Sequence, residues 1–477
     1  MRARVISRNF AALSAGQLVS RILAFAITIY LTRILHAEYF GIIVFATSVL
    51  AYAGLIVDCG FESFGPLEVA RQLAPMRELA RTVVTLRLSL TAVAFAALAL
   101  FSTLSHVNAL TRTVLLLYGI SLISNALSVN WVFMGAEMMR ESAIGDILEQ
   151  VVMVAGVFVF IHQPEHVTRI PWVYLTARLV AVSFLIVRFI RIFGNLVLGI
   201  DFGLLRRLIA EALPLAGTSV VAMVSHNFDL VLVGLWLGSS AAGMYGAAYR
   251  VVWAPTLIVT AYYMALRPTL ARGYRDGIET VSELLRRSVR LTTALAVGIV
   301  VGGVLLAVPL VRLLYGRGYD GAIQPMQMLL VAFALVVVSR KYRLILTCFN
   351  RQGVDFNIMS AAAVVNIVAN LLLIPRMGVL GAALASVISE VGILLMGYSA
   401  TRLLVGHVPF WRHLLRPALG AALMAEVLVL TPSLPVLLRI LLGGGVYVAL
   451  LFAMRVVNME ELRMLLSSWR RLEAPSE

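Results

Sequence analysis

Long apolar runs recur from one end of this 477-residue chain to the other. A helix needs about 20 mostly apolar residues to cross a bilayer, and a chain that repeats such runs is confined to an all-α, polytopic membrane fold. Composition agrees: 61% of residues are hydrophobic and 13% charged, where soluble domains carry about 25% charge. Fourteen runs read as spans, near 10–34, 39–61, 83–104, 113–134, 143–161, 172–190, 212–237, 244–266, 290–314, 323–349, 355–375, 378–401, 412–431 and 436–456. The first is too long for a signal-peptide core and follows Arg2, Arg4 and Arg8, so it reads as a retained first span.

The net charge of +15 has a topological explanation that needs no nucleic acid. Lys and Arg accumulate on the cytoplasmic side of membrane proteins. With the N-terminus inside, 29 of the 39 basic residues fall on the inner side and 7 on the outer, and Arg21, Arg178 and Arg250 lie within spans. That split supports an even number of spans with both termini inside. The outer loops are short. The longest, around 162–171, holds Glu165 as its one acid. Without paired acids, a nucleophile–base pair or a metal-ligand pattern, a membrane-embedded polymerase, ligase or glycosyltransferase is disfavoured. Cys59 and Cys348 form no CxxC and read as small buried hydrophobes.

An internal repeat divides the chain. "RILHAEYFGIIVFATSV" and "GLWLGSSAAGMYGAAYRV" align Leu35 with Leu237 and Gly41 with Gly243, and "EVAR" ending at Arg71 matches "TLAR" ending at Arg272. The expected organisation is an N-lobe of six spans (1–190) and an amphipathic cytoplasmic linker (191–211). A C-lobe of six spans (212–401) and a C-terminal segment of two spans and a tail (402–477) follow. Lobes of like orientation would face one another across a central cleft.

Charged groups inside spans are expensive and mark functional candidates. Arg21 lies near mid-depth, Arg178 and Arg250 a few turns from the outer side, and Arg340 and Arg343 share a face of the tenth span. Asp229 and Glu390 are the deep acids, and Asp58, Asp146 and Glu149 lie nearer inner ends. Two readings stay open. These groups form interhelical ion pairs, with Arg340, Lys341 and Arg343 snorkelling to the inner surface. Alternatively, the basic surplus lines a wet cleft suited to a phosphate-bearing substrate, because guanidinium groups grip phosphate oxygens bidentately. Ser121, Ser124, Asn125 and Ser128, and Ser225, His226 and Asn227, offer either interhelical hydrogen bonds or contacts to sugar hydroxyls. Pro255 and Gly302-Gly303 mark expected bends.

The segments "TRILHAEYFG", "VDCGF", "WVFMGAEMM", "FDLVLVGLWLGSSAAGMYGAAYR", "LLYGRGYDGA" and "VLGAALASVISE", taken in order, resemble the Wzx-like polysaccharide flippases of the multidrug/oligosaccharidyl-lipid/polysaccharide exporter superfamily. His36 stands where that family commonly has glycine. The resemblance implies two six-helix lobes with alternating access. The implied cargo is a polyprenyl-pyrophosphate-linked oligosaccharide moved to the outer leaflet of a bacterial inner membrane. It implies cationic cavity residues for the pyrophosphate, with Arg21 and Arg250 the best matches and Arg178, Arg340 and Arg343 further candidates. Asp58, Asp229 and Glu390 are candidate coupling or gating groups. It implies no cofactor beyond a coupling Na+ or H+, and partners among membrane lipids, a polysaccharide polymerase and glycosyltransferases. A lipid II flippase or a cation-coupled multidrug exporter of the same fold are the alternatives.

Overall fold

A computed structural model describes residues 2–457 except 73, 257–258, 261, 264–265, 268, 271–272 and 274–276; the side chains of 2–15, 17 and 226 also lie outside the description. The second copy of the repeat match, ending at Arg272, the side chain of His226 and the tail beyond 457 therefore fall wholly or partly outside it. The described residues form helices and no strand. Contacts divide the chain into two compact units, between Gly243 and Met244.

In the first unit, α1 (Arg2–Asp58) holds the first two expected spans. They meet at His36, whose φ of 55° lies in the left-handed region. That conformation is costly for a residue with a Cβ and free for glycine. α2 (Phe61–Arg71), α3 (Met76–Leu104), α4 (Ala109–Ile120), α5 (Leu122–Leu127), α6 (Asn130–Gly135), α7 (Met139–Phe160), α8 (Ile170–Phe193) and α9 (Phe202–Leu237) follow. α1 packs against α3, α4, α7 and α9, and α7 against α8. The core includes Phe61, Phe64, Val83, Val84, Trp131, Phe133 and Phe189. Gly41 and Gly243, the two positions aligned by the repeat, meet backbone to backbone. A Cβ on Gly41 would strike Ser239, and one on Gly243 would strike Ala37.

α10 (Ser239–Trp253) crosses the division. The second unit continues with α11 (Ile278–Leu314), α12 (Ile323–Cys348), α13 (Gln352–Met377), α14 (Val379–Val405), α15 (Leu415–Leu430) and α16 (Val436–Ala453). α12 packs on α11 and α14, α13 on α14, and the terminal pair α15 and α16 on α11. Tyr447 anchors that pair, its hydroxyl donating to the Ala294 carbonyl at 2.7 Å.

Among the described residues, eleven helical stretches are long and apolar enough to cross a membrane, and the protein is a multi-pass membrane protein. The expected fourteen are not matched one for one. Leu18–Arg71 is a single stretch bearing two spans, α15 has 16 residues, and the eighth span lies partly outside the described residues. The structure adds detail to three expectations of local structure. The fourth span is broken into α4, α5 and α6: the first break falls at Ser121, and the second at Ser128, which is extended. The amphipathic stretch 204–211 is helical but continuous with the seventh span in α9. Gly302-Gly303 do not interrupt α11; Gly303 admits the Leu330 side chain, so the pair serves packing. At Pro255 the helix has already ended, at Trp253.

Candidate functional site

A cluster of charged groups in the first unit starts at the elbow between α1 and α2. The chain turns at Cys59 and Gly60, both at positive φ. Asp58 Oδ1 accepts the Glu62 N–H at 2.9 Å, so it caps α2, and it forms an ion pair with Arg87 of α3. Arg87 is 2% exposed. Its guanidinium also reaches Glu62 at 3.6 Å and the Ser128 carbonyl at 3.4 Å, and it lies 6.0 Å from the centre of the Phe61 ring. One cation thus joins α1, α2, α3 and the break between α5 and α6.

A second guanidinium continues this cluster. Arg178 of α8 donates to Asn125 Oδ1, pairs with Glu149 at 3.7 Å and lies over the Tyr174 ring at 5.8 Å. Glu62 is in electrostatic reach of Arg178 and of Asp146, which links the two groups. Four carboxylates therefore surround two guanidiniums. Acids outnumber bases in this cluster, and Arg178 is engaged by Asn125 and Glu149. Asp58 is likewise occupied, by a cap and an ion pair. Asn125 serves Arg178, and the Ser121 and Ser124 hydroxyls serve their own backbone, so of the two readings of that polar row these three follow the hydrogen-bonding one. Asp229 is 3% exposed, with Tyr52 in electrostatic reach. Ser225 bonds to the Val221 carbonyl and Asn227 to the Met223 sulfur.

Arg21 stands apart from this cluster. It is exposed, and among the described residues it makes no ion pair.

In the second unit Arg343 and Asp355 form a two-pronged pair, at 2.6 and 3.1 Å. Arg340 lies 5.7 Å from the centre of the Tyr263 ring, and Glu390 is in electrostatic reach of both arginines. Arg340, Arg343 and Glu390 are thus brought together as one group. Lys341, the only lysine of the chain, does not snorkel. It is 0% exposed, and its Nζ donates to the Val337 carbonyl at 2.6 Å, a carbonyl that also accepts from the Tyr263 hydroxyl at 2.7 Å. Arg250 is half-buried, with Tyr315 and Tyr319 in electrostatic reach.

Residues 6–274, more than half of the chain, match the polysaccharide biosynthesis protein family. The chain belongs to that family. This polysaccharide biosynthesis protein is similar to the probable flippase AglR of Haloferax volcanii, with 27% identity over 165 residues. That match spans 34% of this chain and 34% of the relative's length. Among solved structures it resembles the lipid II flippase MurJ in an inward closed conformation, with a TM-score of 0.77 and 14% identity over 94% of this chain and 99% of that one. It also resembles an inward-facing multidrug resistance MATE family transporter of the MOP superfamily, with a TM-score of 0.63 and 14% identity over 83% of this chain and 98% of that one. At such identities the likenesses establish the fold. The family read from the ordered motifs is borne out.

Residues that sequence reasoning missed are Arg87, Glu62, Glu68 and Arg207. Glu68, 1% exposed, is paired with Arg207 of α9. Arg87 had a legible signal: it continues the buried positions Ala80, Val83 and Val84 at helical spacing.

Proposed function

We propose that the protein is a flippase that moves polyprenyl-pyrophosphate-linked oligosaccharide units from the cytoplasmic to the periplasmic leaflet of a bacterial inner membrane, with both termini inside. The supporting observation is that guanidinium groups on spanning helices keep their two-pronged face open. Arg21 is exposed and makes no ion pair among the described residues, and Arg340 is held by a ring, not by a bidentate carboxylate. A pyrophosphate is the ligand such groups suit best. Arg250 is assigned to the same role, and Asp58, Asp229 and Glu390 to coupling or gating with H+ or Na+. Residues 1–190 and 212–401 act as the two lobes of alternating access. No bond is made or broken, so the protein works beside the polymerase and glycosyltransferases and is not itself one of them.

The test is transbilayer movement of a fluorescent lipid-linked oligosaccharide in proteoliposomes. Arg21→Ala, Arg250→Ala and Arg340→Ala should each slow it by roughly 10- to 100-fold, the worth of one charge-assisted contact. Undiminished movement in all three removes the pyrophosphate site. Movement of lipid II in preference to other lipid-linked sugars would transfer the proposal to that cargo.

A further inference from the structure

The first unit contains a cavity of about 360 Å³ that uses none of the residues assigned to the cargo. Glu78, Arg81 and Thr82 line it from the first two turns of α3, and Ile200 and Asp201 from the connection between α8 and α9. The connection is stitched to α3. The Gly199 N–H donates to Thr85 Oγ1 at 2.9 Å, and the Arg81 guanidinium lies so close to Gly199 that a Cβ there would overlap it. The glycine thus lets the chain pass close under the arginine, and a larger residue would push the guanidinium aside.

The cavity is chemically unfinished. Among the described residues Arg81 forms no ion pair with Glu78 or Asp201, although all three line the same space. Asp201 Oδ1 accepts the Leu204 N–H at 3.0 Å as the cap of α9, which leaves its second oxygen available. Thr82 is 1% exposed, and among the described residues its hydroxyl has no hydrogen-bond partner. Next in sequence to Ile200 and Asp201, Val197 and Leu198 of the connection and Phe202 at the start of α9 are exposed apolar side chains. α3 begins at Met76, so the cavity lies at the first two turns of a helix long and apolar enough to cross a membrane.

A ligand for this place carries a cationic and an anionic group together and has an apolar body next to them. We propose that the cavity binds the headgroup of an aminophospholipid such as phosphatidylethanolamine. The phosphate lies on Arg81, the ammonium between Glu78 and Asp201, and the acyl chains against Val197, Leu198 and Phe202. A purely anionic headgroup, or the pyrophosphate of a lipid-linked sugar, would meet two carboxylates with one arginine. A trimethylated amine would have no N–H to give those carboxylates.

Native mass spectrometry of the full-length protein with equal amounts of phosphatidylethanolamine, phosphatidylglycerol and phosphatidylcholine tests this. Phosphatidylethanolamine should be retained roughly tenfold over the other two, the worth of one charge-assisted hydrogen bond. Glu78→Gln with Asp201→Asn should abolish the preference; asparagine keeps the α9 cap. If the double variant does not fold, Glu78→Gln alone, at an exposed position, should still lower the preference severalfold. Equal retention of the three lipids by the wild type, or a preference unchanged in the folded variant, overturns the site. Neither result bears on cargo movement, which rests on other residues.

Discussion

Replacing Arg87 by methionine keeps an unbranched side chain and removes the charge that joins four elements. Truncating one partner of a buried ion pair costs about 3–5 kcal/mol, because the other charge is stranded. Two features place Arg87→Met near the lower limit. The Asp58 side chain is 23% exposed, and its Oδ1 retains the Glu62 N–H at 2.9 Å. Glu62 is 56% exposed and loses little. The expected loss is therefore about 3 kcal/mol. Asp58→Asn keeps the cap and an acceptor for Arg87, so it costs about 1–2 kcal/mol. Combining the two strands no charge, and the double variant should be more stable than the sum by about 2 kcal/mol. Equilibrium unfolding by SDS in mixed micelles, run on wild type, both single variants and the double, measures this coupling. Additivity within about 0.5 kcal/mol would refute the claim that Arg87 stabilises by pairing.

Three further expectations can be measured in the same way. His36→Gly should stabilise the protein by about 1 kcal/mol, since glycine adopts the left-handed conformation found there without strain; a loss of stability would mean that the imidazole has a role that outweighs its backbone. Lys341→Met should be neutral or stabilising by about 1 kcal/mol or more, because it removes a fully buried amine whose described contact is a backbone carbonyl. In the folded wild type an amine-reactive reagent should leave this sole lysine unlabelled, and prompt labelling would contradict its burial. His413 lies outside the spanning helices, and burial, with Arg290, Arg286 and Arg412 nearby, pushes its ring below the ordinary histidine value of 6.5. The unfolded chain then binds the extra proton first, so stability should fall as pH drops below about 6.5, and His413→Gln should flatten that part of the pH profile.

Burial in hydrocarbon acts on every residue of a run, so its signal accumulates along the sequence and the class of fold is legible there. The role of a single arginine does not accumulate. Arg87 falls among inner-surface cations when arginines are sorted by loop, yet what decides its role is Asp58, 29 positions away. Arg178 depends in the same way on Asn125, 53 positions away, and Arg207 on Glu68, 139 positions away. The turn at His36 is the opposite case: the family pattern of glycine marked the place, and the positive φ supplies the reason. The cations that matter to an anionic cargo are those left after pairing, and sequence counts cannot subtract the pairs. In the first unit the subtraction leaves a cluster of four carboxylates around Arg87 and Arg178, which repels phosphate. Under the flippase reading the headgroup is therefore held by guanidiniums outside that cluster, Arg21 and the half-buried Arg340 foremost. Arg178→Gln, for the same reason, should disturb stability more than cargo affinity.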